Sequence, residues 1–317
     1  MGSDTTLFGP VAADLARLED MVRTSFADDH PAAAAPMAEL FGSGGKRLRP
    51  ALVLLCANLG DYRFDRVAPA AIAVELTHAA TLVHDDVIDR AATRRGRPTA
   101  AATAGSEAAI LVGDHYFARA YLESSRTGIA EVVSELAAAV MQICAAELEQ
   151  QASLRDYHPS IDGYMTRIEG KTAALLAACC RIGGLLGGLE SPEREALGRY
   201  GLALGLAFQI ADDVLDYTGE EAEIGKPVGH DLLEGSATLP LMLSAGLDPM
   251  LPDGKQLGAE SVAAVVEEVR AGQGPRLALE RAAALADEAR AELRRFGDHE
   301  AARALGALAT YVVSRRL

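Results

Sequence analysis

The chain has 317 residues, half of them hydrophobic and 5% aromatic, with no Trp and a formal net charge of -15. That charge repels nucleic acid and anionic membrane surfaces from most of the exterior, so any polyanion must bind locally. No linker-like stretch separates compositionally distinct halves, so residues 1–317 are expected to form a single domain, and abundant Ala with few aromatics favours an all-α fold.

Residues 1–26 alternate apolar and acidic side chains without a basic start or a continuous apolar core, which does not fit a secretory signal. We expect a cytoplasmic protein without stable membrane insertion. Apolar residues recur at three- and four-residue spacing over 50–60, 67–90, 105–124, 129–155 and 161–186, and each stretch predicts a helix. The pattern resumes over 192–217, breaks in the Gly/Glu/Pro-rich stretch 219–235, and returns over 236–247 and in several C-terminal segments. No β-alternation is expected anywhere. Segments 67–90 and 195–217 are apolar around most of their circumference and should be central helices. Cys56, Cys144, Cys179 and Cys180 lack zinc-site spacing and are expected to be buried small hydrophobes.

Both central helices end in carboxylates. Asp85, Asp86 and Asp89 form a DDxxD cluster in which Asp85 and Asp89 share one face. Such like charges repel, and they sit at the negative end of the helix dipole, so something cationic should compensate. One such cluster would pass for a solvated acidic face, but Asp212, Asp213 and Asp216 repeat the spacing at the end of the other apolar helix. Six carboxylates without Cys or a His cluster point to a hard, oxygen-liganded cation, Mg2+, which bridges carboxylates to substrate phosphates. The implied substrate is a diphosphate.

Cations for a diphosphate stand at element ends: Lys46, Arg47 and Arg49 after Gly44-Gly45, and Arg94, Arg95 and Arg97 after the first aspartate cluster. Their mixture of guanidinium forks and ammonium point charges fits two diphosphates side by side. Neutralisation of nearby acids is the competing account, strongest for Arg47 and Arg97. Lys171-Thr172, Lys226 and Gln209, one turn before Asp212, would surround a leaving group. His78 lies two turns before Asp85, where a core role and a binding role compete.

These residues resemble the trans-isoprenyl diphosphate synthases, or polyprenyl synthetases, over nearly the whole chain. The resemblance rests on GGKRLRP at 44–50, ELTHAATLVHDDVID at 75–89, RRGRPT at 94–99, GKT at 170–172, FQIADDVLD at 208–216 and GKPVGHDLLEGSATLP at 225–240. It implies an isoprenoid synthase fold, a bundle of long helices around a deep central cavity, commonly a homodimer. It further implies that Asp85, Asp86, Asp89, Asp212, Asp213 and Asp216 bind three Mg2+ once diphosphate is present. Arg94, Lys171, Thr172, Gln209 and Lys226 would hold the allylic diphosphate, and Lys46, Arg49, His78 and Arg95 isopentenyl diphosphate. The most direct chemical roles would fall to Asp85, Asp89, Asp212, Lys171 and Lys226. One departure is Ser236, where many relatives carry a lysine.

A terpene cyclase would not repeat DDxxD, and a non-catalytic partner subunit would be expected to lose aspartates. Product length is expected to exceed geranylgeranyl, with farnesyl or geranylgeranyl as the alternative. The expectation rests on Thr81, Ala80, Thr77 and Ala73, small residues back along the helix from Asp85 that leave a channel without an aromatic floor. Residues near Glu147 and Gln150 could still close such a channel.

Overall fold

The computed structural model describes residues 8–26, 33–34, 36, 47–94, 96–219, 227–252 and 254–314. Within them, α1 (Ala12–Ser25), α2 (Leu48–Ala57) and α3 (Phe64–Ile88) lead to a two-stranded hairpin, β1 (Thr93–Arg94) and β2 (Arg97–Pro98). Then follow α4 (Ala100–Ala104), α5 (Ser106–Ser125), α6 (Ala130–Ala152) and α7 (Ile161–Ile168). A π-helical turn, Glu169–Ala173, joins α7 to α8 (Ala174–Leu186), and α9 (Ser191–Thr218) follows. The remaining helices are α10 (His230–Glu234), α11 (Leu239–Met242), α12 (Ala259–Ala271), α13 (Gly274–Glu292) and α14 (Glu300–Ser314). The fold is all-α as expected, with three corrections. The hairpin pairs Thr93 with Pro98 and Arg94 with Arg97 across Gly96 at positive φ, too short to leave an alternating pattern. The stretch expected to stay irregular contains α10, and the helix over 161–186 is interrupted by the π turn.

The chain divides into two compact units. The first comprises Met1–Val140, Ala178–Gly198 and Leu293–Leu305. Its centre is α3, whose residues are buried along nearly the whole length and which packs most extensively on α5. Among the described residues α3 is long and apolar enough to cross a membrane, but 72% of its most apolar window is buried inside the protein, which makes it a core helix. Arg47, buried and at a left-handed φ of 48°, starts α2 and ties it to two neighbours through Glu19 on α1 (2.9 Å) and Glu75 on α3 (3.2 Å). Three cysteines are buried as expected, whereas Cys144 is exposed, because it shares the outward side of α6 with Met141 and Leu148.

The second unit comprises Met141–Ala177, Arg199–Glu292 and Gly306–Leu317. Ser160 caps α7 by accepting a hydrogen bond from Gly163 N (3.0 Å), which satisfies one orphan amide of the first turn. A satellite core of Tyr157, Tyr217, Leu232, Leu241, Val265 and Val269 holds α10, α11 and α12 together. On α9, Gly201, Gly205, Gln209 and Asp213 follow one another at four-residue intervals and so share a face. A Cβ at Gly201 would lie 2.6 Å from Leu176 O, and one at Gly205 2.5 Å from Ala173 Cα, so two glycines let α9 touch the backbone beside the π turn. Gly170 allows the same on α6, since a Cβ there would sit 2.8 Å from Ala146 Cβ. These approaches set the depth at which Lys171, Thr172 and Gln209 meet. Gly205→Ala should cost roughly 1–3 kcal/mol through overpacking and lower the melting temperature followed by circular dichroism. An unchanged melting curve would show that the two segments can separate without loss.

Candidate active site

In the first unit the site is built on the last turns of α3. His84 presses its ring over Gly113, where a Cβ would fall 2.1 Å from Nε2, and Nε2 lies 3.1 Å from Ile110 O. Small size at 113 thus lets α5 fix the turn that carries the aspartates. Asp85 is half-buried, Asp86 buried and Asp89 exposed as the residue that closes the helix. The hairpin folds back so that Arg94 Nε donates to Asp86 Oδ1 at 2.8 Å. Burial raises the Asp86 pKa from its ordinary value, and the charge and hydrogen bond of Arg94 oppose that rise. In this state Arg94, expected beside the allylic diphosphate, compensates a carboxylate of the cluster, as the dipole argument requires of some cation. Arg47 is likewise engaged with acids, and Arg97 is exposed on β2. Arg49 and His78 are half-buried on α2 and α3. Lys46, Arg95 and Lys226 lie outside the described residues.

Of the small residues behind Asp85, Ala73, Thr77 and Ala80 are buried, with Thr77 Oγ1 donating to Ala73 O at 2.9 Å. Thr81 is half-buried, and its hydroxyl donates to His78 O at 2.9 Å. Among these four, Thr81 is therefore the position with open surface on the Asp85 side.

In the second unit the expected residues form a connected set. Thr172 Oγ1 donates to Gln209 Oε1 (2.6 Å), Gln209 Nε2 donates to Asp213 Oδ1 (2.8 Å), and Tyr164 OH donates to Asp213 Oδ2 (2.6 Å). Lys171 Nζ contacts Glu147 Oε1 at 2.5 Å and donates to Gln150 Oε1 at 3.2 Å. Glu147 and Gln150 thus act here as partners of Lys171. Asp216 is buried and accepts from Asp231 N at 3.1 Å, while its carbonyl accepts from Gly229 N at 2.8 Å, which joins the end of α9 to the start of α10. Burial pushes the Asp213 carboxyl up to about 7, with Asp231 adding to the rise and the bonds from Tyr164 and Gln209 opposing it. Burial, then Asp213, raises the Tyr164 hydroxyl in turn. Asp212 stays half-buried.

Tyr164, Arg167 and Asp231 were not singled out by sequence reasoning. Tyr164 and Arg167 lie seven and four residues before Lys171, on the side of α7 that the π turn carries toward the same pocket. A polar residue one or two turns before a functional lysine is a weak signal without the fold.

The two aspartate clusters divide differently. Asp86 alone is buried in the first, beside half-buried Asp85 and exposed Asp89, whereas Asp213 and Asp216 are both buried in the second, beside half-buried Asp212; all three buried carboxylates accept from protein donors. Among the described residues no three acidic, His or Cys side chains converge as a ready cation cage. An oxygen-only donor set of few, accessible carboxylates fits Mg2+, which retains waters and completes its shell with phosphate oxygens.

An all-α fold with carboxylates closing two buried helices, and a lysine, threonine and glutamine grouped beside one of them, is the architecture expected of a helical synthase. Comparison with known proteins makes the assignment specific: the Polyprenyl synthetase family profile matches residues 30–250, and the chain belongs to that family. It is 35% identical over 322 residues to the nonaprenyl diphosphate synthase of Mycobacterium tuberculosis, spanning 98% of this chain and 95% of that one. It is 36% identical over 285 residues to heptaprenyl diphosphate synthase component 2 of Geobacillus stearothermophilus, spanning 89% and 88%. Among solved structures, a Caulobacter crescentus polyprenyl synthase complexed with calcium and isoprenyl diphosphate superposes with a TM-score of 0.93 at 35% identity, covering 100% of this chain and 99% of that one.

Because Tyr164 supplies one of two side-chain donors to a buried carboxylate, Tyr164→Phe should cost roughly 1–3 kcal/mol, read in chemical denaturation. Wild-type stability in that variant would mean that Asp213 finds a replacement donor.

Proposed function

We propose that the chain condenses isopentenyl diphosphate with an allylic diphosphate, head to tail and in trans, to make a polyprenyl diphosphate longer than geranylgeranyl. The observation that carries this reading is the network at the end of a buried helix in the second unit, where Thr172, Gln209, Asp213 and Tyr164 are hydrogen-bonded in series and Lys171 stands beside Thr172. Mg2+, expected as three ions, would be held by aspartates of each cluster and would neutralise the charge that builds on the leaving diphosphate. Lys171, Thr172 and Gln209 would orient the allylic diphosphate, Lys226 and Arg94 would be further ligands to it, and Asp86, Asp213 and Asp216 would complete the acidic set. Arg49 and His78, with Lys46 and Arg95, would hold isopentenyl diphosphate. The allylic C–O bond breaks with its electron pair leaving on diphosphate. The isopentenyl double bond then attacks the allylic carbon, and a proton lost to the released diphosphate restores an alkene.

A homodimer is the expected assembly. Exposed apolar side chains on α5, Leu111 and Leu122, and on α6, Met141 and Leu148, are surfaces that a second copy would cover. The Geobacillus relative is named as a component of its synthase, which favours one alternative worth testing: that this chain also needs an unlike partner.

The decisive experiment incubates the purified chain with Mg2+, labelled isopentenyl diphosphate and a series of allylic starters, and measures product mass. Elongation by the chain alone is expected, and Asp85→Ala should lower turnover by orders of magnitude with helical content unchanged. Absence of product unless a second protein is added would establish the two-component alternative, and near-normal turnover in Asp85→Ala would refute the role given to the cluster.

Product length is expected in the hexaprenyl to decaprenyl range. Thr81→Phe, one turn before Asp85 and at an accessible position, should shorten it by several isoprene units; a wild-type product that stops at farnesyl or geranylgeranyl with excess isopentenyl diphosphate would contradict the long-chain reading.

A further inference from the structure

Arg167 is buried to 9% exposure, yet no carboxylate among the described residues pairs with it. Its NH2 group donates to the carbonyl of Ala237 at 2.6 Å, and its guanidinium carbon lies 5.6 Å from the Tyr164 ring centre. One backbone acceptor uses one of five guanidinium donors. A buried guanidinium with no directly paired carboxylate is unfavourable, and an anion seated in the pocket would offset that cost. Arg167 lines the pocket that also holds Lys171, Gln209 and Asp213.

The same wall carries a second oddity. Ser236, adjacent to the residue whose carbonyl Arg167 holds, buries its Oγ in this pocket with no hydrogen-bond partner among the described residues. A short side chain at 236 leaves room at the wall for the guanidinium and supplies no charge of its own. The other cation of the lining, Lys171, is engaged by Glu147. Asp213 is satisfied by Tyr164 and Gln209, Glu234 faces His230 at 3.1 Å, and Asp231, the remaining acid of the lining, forms no ion pair with Arg167. Arg167 is thus a cation of the pocket whose charge the neighbouring acids do not take up by direct pairing.

We propose that Arg167 is a further diphosphate-binding residue of this enzyme, delivering from α7 the fixed positive charge that position 236 lacks. The planar fork matches two oxygens of one phosphate, and the bond to Ala237 holds it in place without consuming its charge. This rests on the pocket being the diphosphate site described above.

The test is calorimetric titration of the intact chain with inorganic diphosphate and Mg2+, comparing wild type, Arg167→Gln, and Arg167→Gln combined with Ser236→Lys. Glutamine removes the charge while keeping a polar side chain, and melting curves check that each variant is folded. Arg167→Gln should raise the Kd for diphosphate roughly tenfold or more, as expected for one lost charge-assisted contact. Adding Ser236→Lys should recover most of that loss, and the KM for isopentenyl diphosphate should stay near its wild-type value. Wild-type affinity in Arg167→Gln, or a loss that a lysine at 236 does not restore in a folded protein, overturns the assignment and leaves Arg167 as a brace for residue 237. Failure of the wild-type chain itself to bind diphosphate or elongate a starter would instead refute the functional reading on which the proposal stands.

Discussion

Carboxylates that repel one another at the ends of buried helices are the constraint from which the remaining features follow. Water cannot reach the middle members of either cluster well enough to stabilise their charge, and the helix dipole opposes it further. The protein answers with its own donors for half of them: Arg94 returns along a hairpin to Asp86, Tyr164 and Gln209 hold Asp213, and the first amides around α10 take Asp216. Asp85 and Asp212 are half-buried and Asp89 is exposed, so solvent stabilises part of their charge.

Holding donors at hydrogen-bond distance from a buried carboxylate requires backbones to approach more closely than ordinary side chains permit. In the second unit this falls to Gly201 and Gly205, which lie in the same row of α9 as Gln209 and Asp213, and to Gly170 opposite Ala146. The π turn complements them. By adding a residue to one turn it rotates Lys171 and Thr172 relative to α7, so that Lys171 reaches Glu147 while Thr172 reaches Gln209. Packing and chemistry are therefore coupled through very few atoms, and a single methyl group at 205 is expected to disturb both.

The helices and both aspartate clusters were legible in the sequence because apolar periodicity over 20 or more residues, and charges that interrupt it, are local properties. What depends on tertiary approach was not. The hairpin after α3 has two residues per strand, too few for alternation to register, and the π turn leaves the apolar spacing of 161–186 nearly intact. Cys144 looked like a core residue because its neighbours are apolar, yet Met141 and Leu148 on the same side are exposed as well. Similarly, Thr81 and Ala80 are adjacent in sequence and both small, and the packing of α3 separates the accessible one from the buried one. Tyr164 and Arg167 carry no motif, so their roles became visible once α7 was placed beside residues 213 and 237.

The acidic character of the whole chain adds a last consequence. With a net charge of -15, the exterior field opposes the approach of a naked diphosphate, and within each unit a cation of the expected site is already committed: Lys171 to Glu147 in the second, Arg94 to Asp86 in the first. A diphosphate paired with divalent cations carries less of the charge that this field repels. The ion pair of Lys171 with Glu147 holds the ammonium at the wall of the pocket, so any anion that binds there must compete with a carboxylate of the protein.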